Sequence, residues 1–336
     1  MMRISVVSYG VYLPFLRIKR DEYLSALGSC SAEIKEKTVM DVDEDTITMA
    51  VEAARNATAG VDAGEIGVLT LASSNFPYQE KVMPGTIIEA LGLNNNILTC
   101  QHSNSTLAGT EAFLSALGLL TQVKQKYALV VVSDAPTAGA SLDMDHGFGA
   151  AACAFVLARD EQGLQFEGVY AHASESLGLR YRLPGETNVR DIGVKAYSTR
   201  AYNETVKASV WGLLNKLGRK PADYRHAVLH QNDVRTTVAL AKKMGFSEEQ
   251  INEGLIYSQV GDTGACSALL GLCHVLDKAV PGDRILVCSY GAGAGSHALS
   301  FKLNNQLPGR SKSFQALLNE KKYISYIHYL KLKKSI

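Results

Sequence analysis

The chain has 336 residues, 46% of them hydrophobic, enough for one large or two medium globular domains. Its formal net charge is +1, so no basic field draws nucleic acid and no acidic tail leaves the fold. No apolar run approaches the length of a membrane span, and MMRISVVSYG lacks the long apolar stretch of a signal peptide. The expectation is a cytoplasmic protein with no membrane or nucleic-acid partner.

In chain order, the first half alternates strand-like and helix-like runs: RISVVSYGVYL, ITMAVEAARNATA, IGVLTLASS, GTIIEALGL, NILTCQH, GTEAFLSALGLLTQV and YALVVVSD. This alternation predicts α/β layers with largely buried strands. Residues 159–200 then read as polar and irregular, a connection long enough to be functional or a subunit contact.

The second half repeats the theme. TVKASVWGLLNKLG reads as a helix, HAVLHQ as a strand, and TTVALAKKMG as a helix closing on Gly245. AGTEAFLSALGLLTQVKQKYALVVVSD and ACSALLGLCHVLDKAVPGDRILVCSYG share one order of elements: small-residue turn, buried helix, central strand. This predicts an internal duplication, with halves over residues 1–165 and 166–336. The terminal YLKLKKSI reads as a solvated basic end. Cysteines at positions 30, 100, 153, 266, 273 and 288 show neither CxxC pairs nor a disulfide-like spacing, so reduced, mostly buried thiols and no metal site are expected.

Four segments hold candidates for chemistry. In CQHSNSTLAGTEAF, a strand end leading into a helix, Cys100, Ser103, Ser105 and Thr106 are possible nucleophiles. Cys100 reads as a structural thiol, and Ser103, Ser105 and Thr106 equally well as caps. His230 closes a strand, where a side chain meets the ligand crevice of α/β folds; it suits a general base or a structural histidine. Asp262, between Gly261 and Gly264, fits a cap or a partner for His230. The Gly291-x-Gly293-x-Gly295 loop is not a dinucleotide fingerprint, and its glycines suit close approach to a ligand or a facing loop.

Residues 227–301 resemble the C-terminal half of the thiolase superfamily, closest to its HMG-CoA synthase and β-ketoacyl-ACP synthase III branch. VVSYGVYLPFLRIKRDEY resembles that family's N-terminus and YISYIHYL its C-terminal tail. The resemblance implies an α/β thiolase fold with a duplicated αβαβα five-layer core, a homodimer, and acyl-thioester chemistry by Cys, His and, in HMG-CoA synthases, Glu. The family histidine falls on His230 and the family asparagine on Asp262. Matching LAGT to the family's KAGT puts Thr106 where the cysteine belongs, and SNFPYQ puts Ser74 at about the place of the glutamate.

Without thiol and acid, the site also resembles the ketosynthase III-like subunit of bacterial phloroglucinol acetyltransferase complexes. That resemblance implies a thiolase-like catalytic subunit and a small OB-fold protein as partners. Three readings follow. The first is a subunit of a multi-protein acyltransferase complex with a degenerate site of its own. The second is an autonomous condensing enzyme or acyltransferase using His230 and Asp262. The third is a non-catalytic scaffold. Acyl-CoA is the expected substrate, with no tightly bound cofactor.

Overall fold

A computed structural model describes residues 3–139, 143–308 and 312–336. The first half runs β1 (Ile4–Tyr12), β2 (Leu16–Lys19), α1 (Arg20–Leu27), β3 (Glu36–Val39), α2 (Thr46–Thr58), β4 (Ile66–Ala72) and α3 (Pro84–Leu91). It continues through β5 (Leu98–His102), α4 (Ala108–Leu119), β6 (Tyr127–Asp134) and β7 (Ala151–Arg159). The second half begins with β8 (Leu164–Ala173), α5 (Lys195–Leu217), β9 (His226–Leu229), α6 (Val234–Lys243), α7 (Glu248–Asn252) and α8 (Tyr257–Val260). It closes with α9 (Ser267–Leu276), β10 (Arg284–Gly291), β11 (Gly295–Leu303), α10 (Phe314–Asn319), β12 (Lys322–Tyr323) and α11 (Tyr326–Leu332).

The main sheet has the order β5-β4-β6-β7-β1-β8-β11-β10-β9. It divides at β1/β8, where only Ser5↔Gln165 and Val6↔Leu164 pair. On each side the half's first strand neighbours its last, and a parallel pair lies further out, β4 with β6 and β9 with β10. The two halves are therefore wound alike, as an internal duplication requires.

Helices α4 and α9 lie inside. All ten residues of α9 are buried, and SALLGLCHVL carries no Asp, Glu, Lys or Arg. A helix apolar on every face has no stable place except between other layers. Phe113 of α4 stands edge-on between Phe155 of β7, at 6.0 Å, and Phe301 of β11, at 5.6 Å. It thus bridges the two leaves of the sheet. A Cβ on Gly109 would lie 2.3 Å from the Ala265 carbonyl oxygen, so glycine is what lets α4 meet the turn before α9. On the outer faces, α2 covers β1 and β7 and α5 covers β8 and β11. Asp45 starts α2 with a capping box closed by Thr48.

Two expectations need correction. Residues 159–200 are not irregular throughout: 164–173 form β8, paired along its length with β11. Its polar residues hid it. Glu167 accepts from Arg219 at 2.8 Å and Arg284 at 3.2 Å, so a strand carrying a half-buried carboxylate is satisfied locally. Nor is the basic C-terminus a free solvated end. Tyr329 is buried and donates to the Asp145 carboxylate at 2.7 Å, while Lys333 pairs with the same carboxylate. The wholly buried Lys37 donates to the Tyr329 hydroxyl at 3.0 Å. Burial lowers the Lys37 ammonium to about 8, against the pull of Asp145. All six cysteines are free, four of them buried.

Candidate active site

The turn at 103–107 is shaped by what it faces. Ser105 Oγ accepts from the Leu107 N–H at 3.0 Å, a local turn bond. Thr106 is buried, and its hydroxyl donates to the Tyr290 carbonyl at 2.9 Å. Its proton is therefore engaged by an amide oxygen, which is not a base that could activate it. A Cβ on Gly291 would come within 2.8 Å of Ser105 Oγ and 3.0 Å of Leu107 Cβ. The glycine loop expected to approach a ligand or a facing loop approaches this turn.

Cys100 lies apart from that turn, on edge strand β5, and is half-buried, not enclosed as a structural thiol would be. Its sulfur is 3.3 Å from His102 Nε2, and His102 Nδ1 lies 3.9 Å from Glu111. Burial lowers the His102 pKa, which the nearby Glu111 opposes.

Ser74 follows β4. Its N–H donates to Asp134 Oδ2 at 3.2 Å, and its carbonyl accepts from Arg182 Nη2 at 3.0 Å. The Asp134 carboxyl is fully buried beneath the turn and pushed above its ordinary pKa by desolvation. It also accepts from the Ala265 N–H at 2.7 Å, tying the end of β6 to the start of the α9 segment. Glu80 is exposed, beyond Pro77 and Tyr78.

His230 follows β9 and is 1% exposed. Its N–H donates to the Cys288 carbonyl at 2.7 Å, and its own carbonyl accepts from the Tyr202 hydroxyl at 2.6 Å. The backbone is thus pinned on both sides, while Nε2 is buried without a hydrogen-bond partner among the described residues. Burial drives the imidazole down to about 4; Asp262 pulls the other way and Arg180 adds to the drop. At neutral pH the ring is uncharged, and burial makes it a weaker base than a free imidazole.

Asp262 is 4% exposed, and its two oxygens divide its expected duties. Oδ1 accepts from the Gly264 N–H at 2.8 Å, a turn bond of the kind expected from sequence. Oδ2 accepts from Arg180 Nη1 at 2.6 Å. Arg180 was not singled out in the sequence because it lies in the connecting segment, 82 residues away. Its backbone is left-handed, with φ +38°, and its guanidinium carbon stacks 4.9 Å from the Phe148 ring centre. Arg180 Nη2 is buried and, like His230 Nε2, has no partner among the described residues.

Arg180 lines two cavities. One, of about 110 Å³, also contains Ser74, Thr106 and Arg182. The other, of about 610 Å³, contains Asp262, Asn232 and Tyr290, with Lys195 and Arg235 on its wall. The fold therefore brings Ser74 with Thr106 and Asp262 with Asn232, and Arg180 joins the two sets. His230 is in the lining of neither cavity; its ring lies 6.2 Å from that of Tyr290, which lines the larger one. Among the described residues no group of His, Cys, Asp and Glu is arranged to hold a metal, and no helix is long and apolar enough to cross a membrane.

Residues 214–303 match the family described as 3-oxoacyl-[acyl-carrier-protein] synthase III, C terminal. Over its whole length the chain is 33% identical to the hydroxymethylglutaryl-CoA synthase of Caldivirga maquilingensis, covering 99% of that protein. The chain belongs to the hydroxymethylglutaryl-CoA synthase family. A second family member, from Methanopyrus kandleri, is 32% identical over 99% of the chain and 98% of its own length. Among solved structures, MvaS in complex with 3-hydroxy-3-methylglutaryl coenzyme A superposes with a TM-score of 0.87 at 17% identity, over 99% of this chain and 92% of that one. The thiolase-like α/β fold expected from the sequence is thus established, and with it membership in a hydroxymethylglutaryl-CoA synthase-like family of condensing enzymes.

Proposed function

We propose that this chain is an acyl-CoA-dependent condensing enzyme or acyltransferase that acts on its own, passing the acyl group directly to an acceptor without an acyl-enzyme. Its curated relatives carry the name of a condensing enzyme along their entire length, which supports the autonomous reading over the degenerate-subunit one. The observation that carries the proposal is His230 Nε2: a buried, neutral imidazole nitrogen with no partner among the described residues, beside the Asp262–Arg180 pair. An unsatisfied buried polar atom costs roughly 1–3 kcal/mol unless a ligand engages it.

In this mechanism the cleft of about 610 Å³ takes the acyl-CoA, within the usual size of small-molecule sites. Nε2 removes a proton from the acceptor, and the acceptor atom bonds to the thioester carbonyl carbon. The C–S bond breaks, the electron pair leaves on the CoA sulfur, and the proton passes from His230 to that sulfur. Asp262 holds Arg180 and steadies the field at the imidazole. Thr106 and Ser74 shape the reaction cavity and are not the nucleophile and acid. No tightly bound cofactor takes part.

A second reading has its own support: with the Thr106 hydroxyl bonded to Tyr290 and a serine at position 74, the turn suits a subunit whose thiolase-like partner does the chemistry, together with a small OB-fold protein. A homodimer, which the family resemblance implies, has an edge available in β5, the last strand of the sheet, where Leu98 is 44% exposed.

The test is CoA release from acetyl-CoA by the purified chain, with acetoacetyl-CoA among the acceptors offered. The proposal expects turnover by the chain alone and a loss of 10²-fold or more, roughly the worth of a general base, in His230→Asn. Activity only when a thiolase-like partner is added would favour the second reading.

A further inference from the structure

The small cavity beside Thr106 has a charge pattern that acyl transfer alone does not call for. Its described lining holds two guanidinium groups, Arg180 and Arg182, with Ser74, Asn104, Thr106 and Thr137, and no carboxylate. We propose that this cavity is a carboxylate pocket, which admits substrates bearing a small anionic carboxyl group close to the reacting carbon. The proposal rests on the acyl-transfer reading and specifies its substrate class.

Arg180 is held in advance of any ligand. Asp262 fixes Nη1, Phe148 supports the face of the guanidinium, and the Arg180 N–H donates to Asp191 at 3.1 Å. Its buried Nη2 has no partner among the described residues. Arg182 is fixed through Nη2 to the Ser74 carbonyl, so its charge stays at the cavity wall. Planar N–H donors in a fixed fork match a carboxylate better than a point charge does.

Size agrees with this assignment. At roughly 30 Å³ of liquid per water molecule, a cavity of about 110 Å³ takes a carboxylate with one or two further carbons and no bulky chain. Residue 74 sets the charge balance of the cavity. A glutamate there would supply an internal counter-charge to the Arg182 guanidinium and an acceptor for Arg180 Nη2, whereas Ser74 leaves both to whatever enters; the rest of the Arg180 charge is already met by Asp262.

A carboxylate can arrive in two ways, at the end of the acyl chain or on the acceptor. Calorimetric titration of the full chain separates them. One arm compares malonyl-CoA with acetyl-CoA; the other compares pyruvate with diacetyl, on the free chain and on the chain saturated with acetyl-CoA. The carboxylated ligand is expected to bind on the order of 10- to 100-fold more tightly in at least one arm, the worth of charge-assisted hydrogen bonds.

Arg182→Met should remove that preference, and Arg182→Lys should recover part of it. Ser74→Glu, which inserts an internal carboxylate, should also abolish it. A preference below about threefold in both arms, or one that survives in Arg182→Met, overturns the proposal. If neither thioester binds but pyruvate is preferred in an Arg182-dependent way, the pocket stands and the acyl-CoA reading fails. If acetyl-CoA binds and no carboxylate is preferred, the pocket fails and the acyl-CoA reading stands.

Discussion

The Arg180 guanidinium donates to the Asp262 carboxylate at 2.6 Å, joining the connecting segment to the turn that precedes α9. Both side chains are largely buried, at 13% and 5% exposure, so the pair stands or falls together. Removing one partner of a buried ion pair strands the other charge. Asp262→Asn is therefore expected to cost about 3 kcal/mol of stability, measured by chemical denaturation. The same change should lower the His230 pKa further, because Asp262 is the group holding it up. An unchanged unfolding midpoint would show that the charges are not paired in solution.

His230 ties stability to acidity. Its folded pKa of about 4 lies below the ordinary 6.5, so between those values the unfolded chain binds more protons than the folded one. Stability is then fully present above pH 6.5 and is lost as pH falls toward 4. The shift corresponds to about 3 kcal/mol. His226, His274 and His297, each lowered by burial, act in the same direction. His230→Gln should flatten part of this acid slope in denaturation curves measured across that window. Turnover that depends on neutral His230 should stay level from pH 8 to pH 6.

Thr106→Ala removes one hydrogen bond to the Tyr290 carbonyl, worth about 1 kcal/mol. Turnover should change by no more than a few-fold. Loss of the true nucleophile in an enzyme costs several orders of magnitude, so steady-state rates separate the two cases.

The C-terminal helix is fastened by charge. Asp145 accepts from Tyr329 and Lys333, and Lys37 sits wholly buried beside them. Asp145→Asn is expected to cost about 3–5 kcal/mol and to free α11. Limited proteolysis should then cut near residue 325 before the rest of the chain. Protection equal to the wild type would assign the docking to packing by Tyr326 and Tyr329.

Much of the architecture was legible in the sequence, because it rests on local patterns. The charge-free run SALLGLCHVL and the repeated turn–helix–strand order announced a buried helix between two similar halves. Strand β8 was not legible, since Glu167 finds its cations on Arg219 and Arg284, more than fifty residues away in either case. The site divides the same way. His230 and Asp262 stood out at a strand end and a glycine-flanked turn. Arg180 and Arg182 did not, because nothing in RYRLPGETNVR shows that Tyr181 pairs with Arg190 and places both arginines at one cavity. Cys100 looked like a core thiol because β5 reads as an ordinary strand; only the sheet order shows that it is the edge.

The proposed acyl transfer by His230 leaves no covalent intermediate on this chain. The most direct measurement is intact mass with peptide mapping, on samples quenched while the purified chain is turning over acetyl-CoA. CoA should be released with no acyl adduct at Thr106, Cys100 or any other residue. An acyl group on Thr106 or Cys100 that forms and decays at the rate of turnover would contradict it.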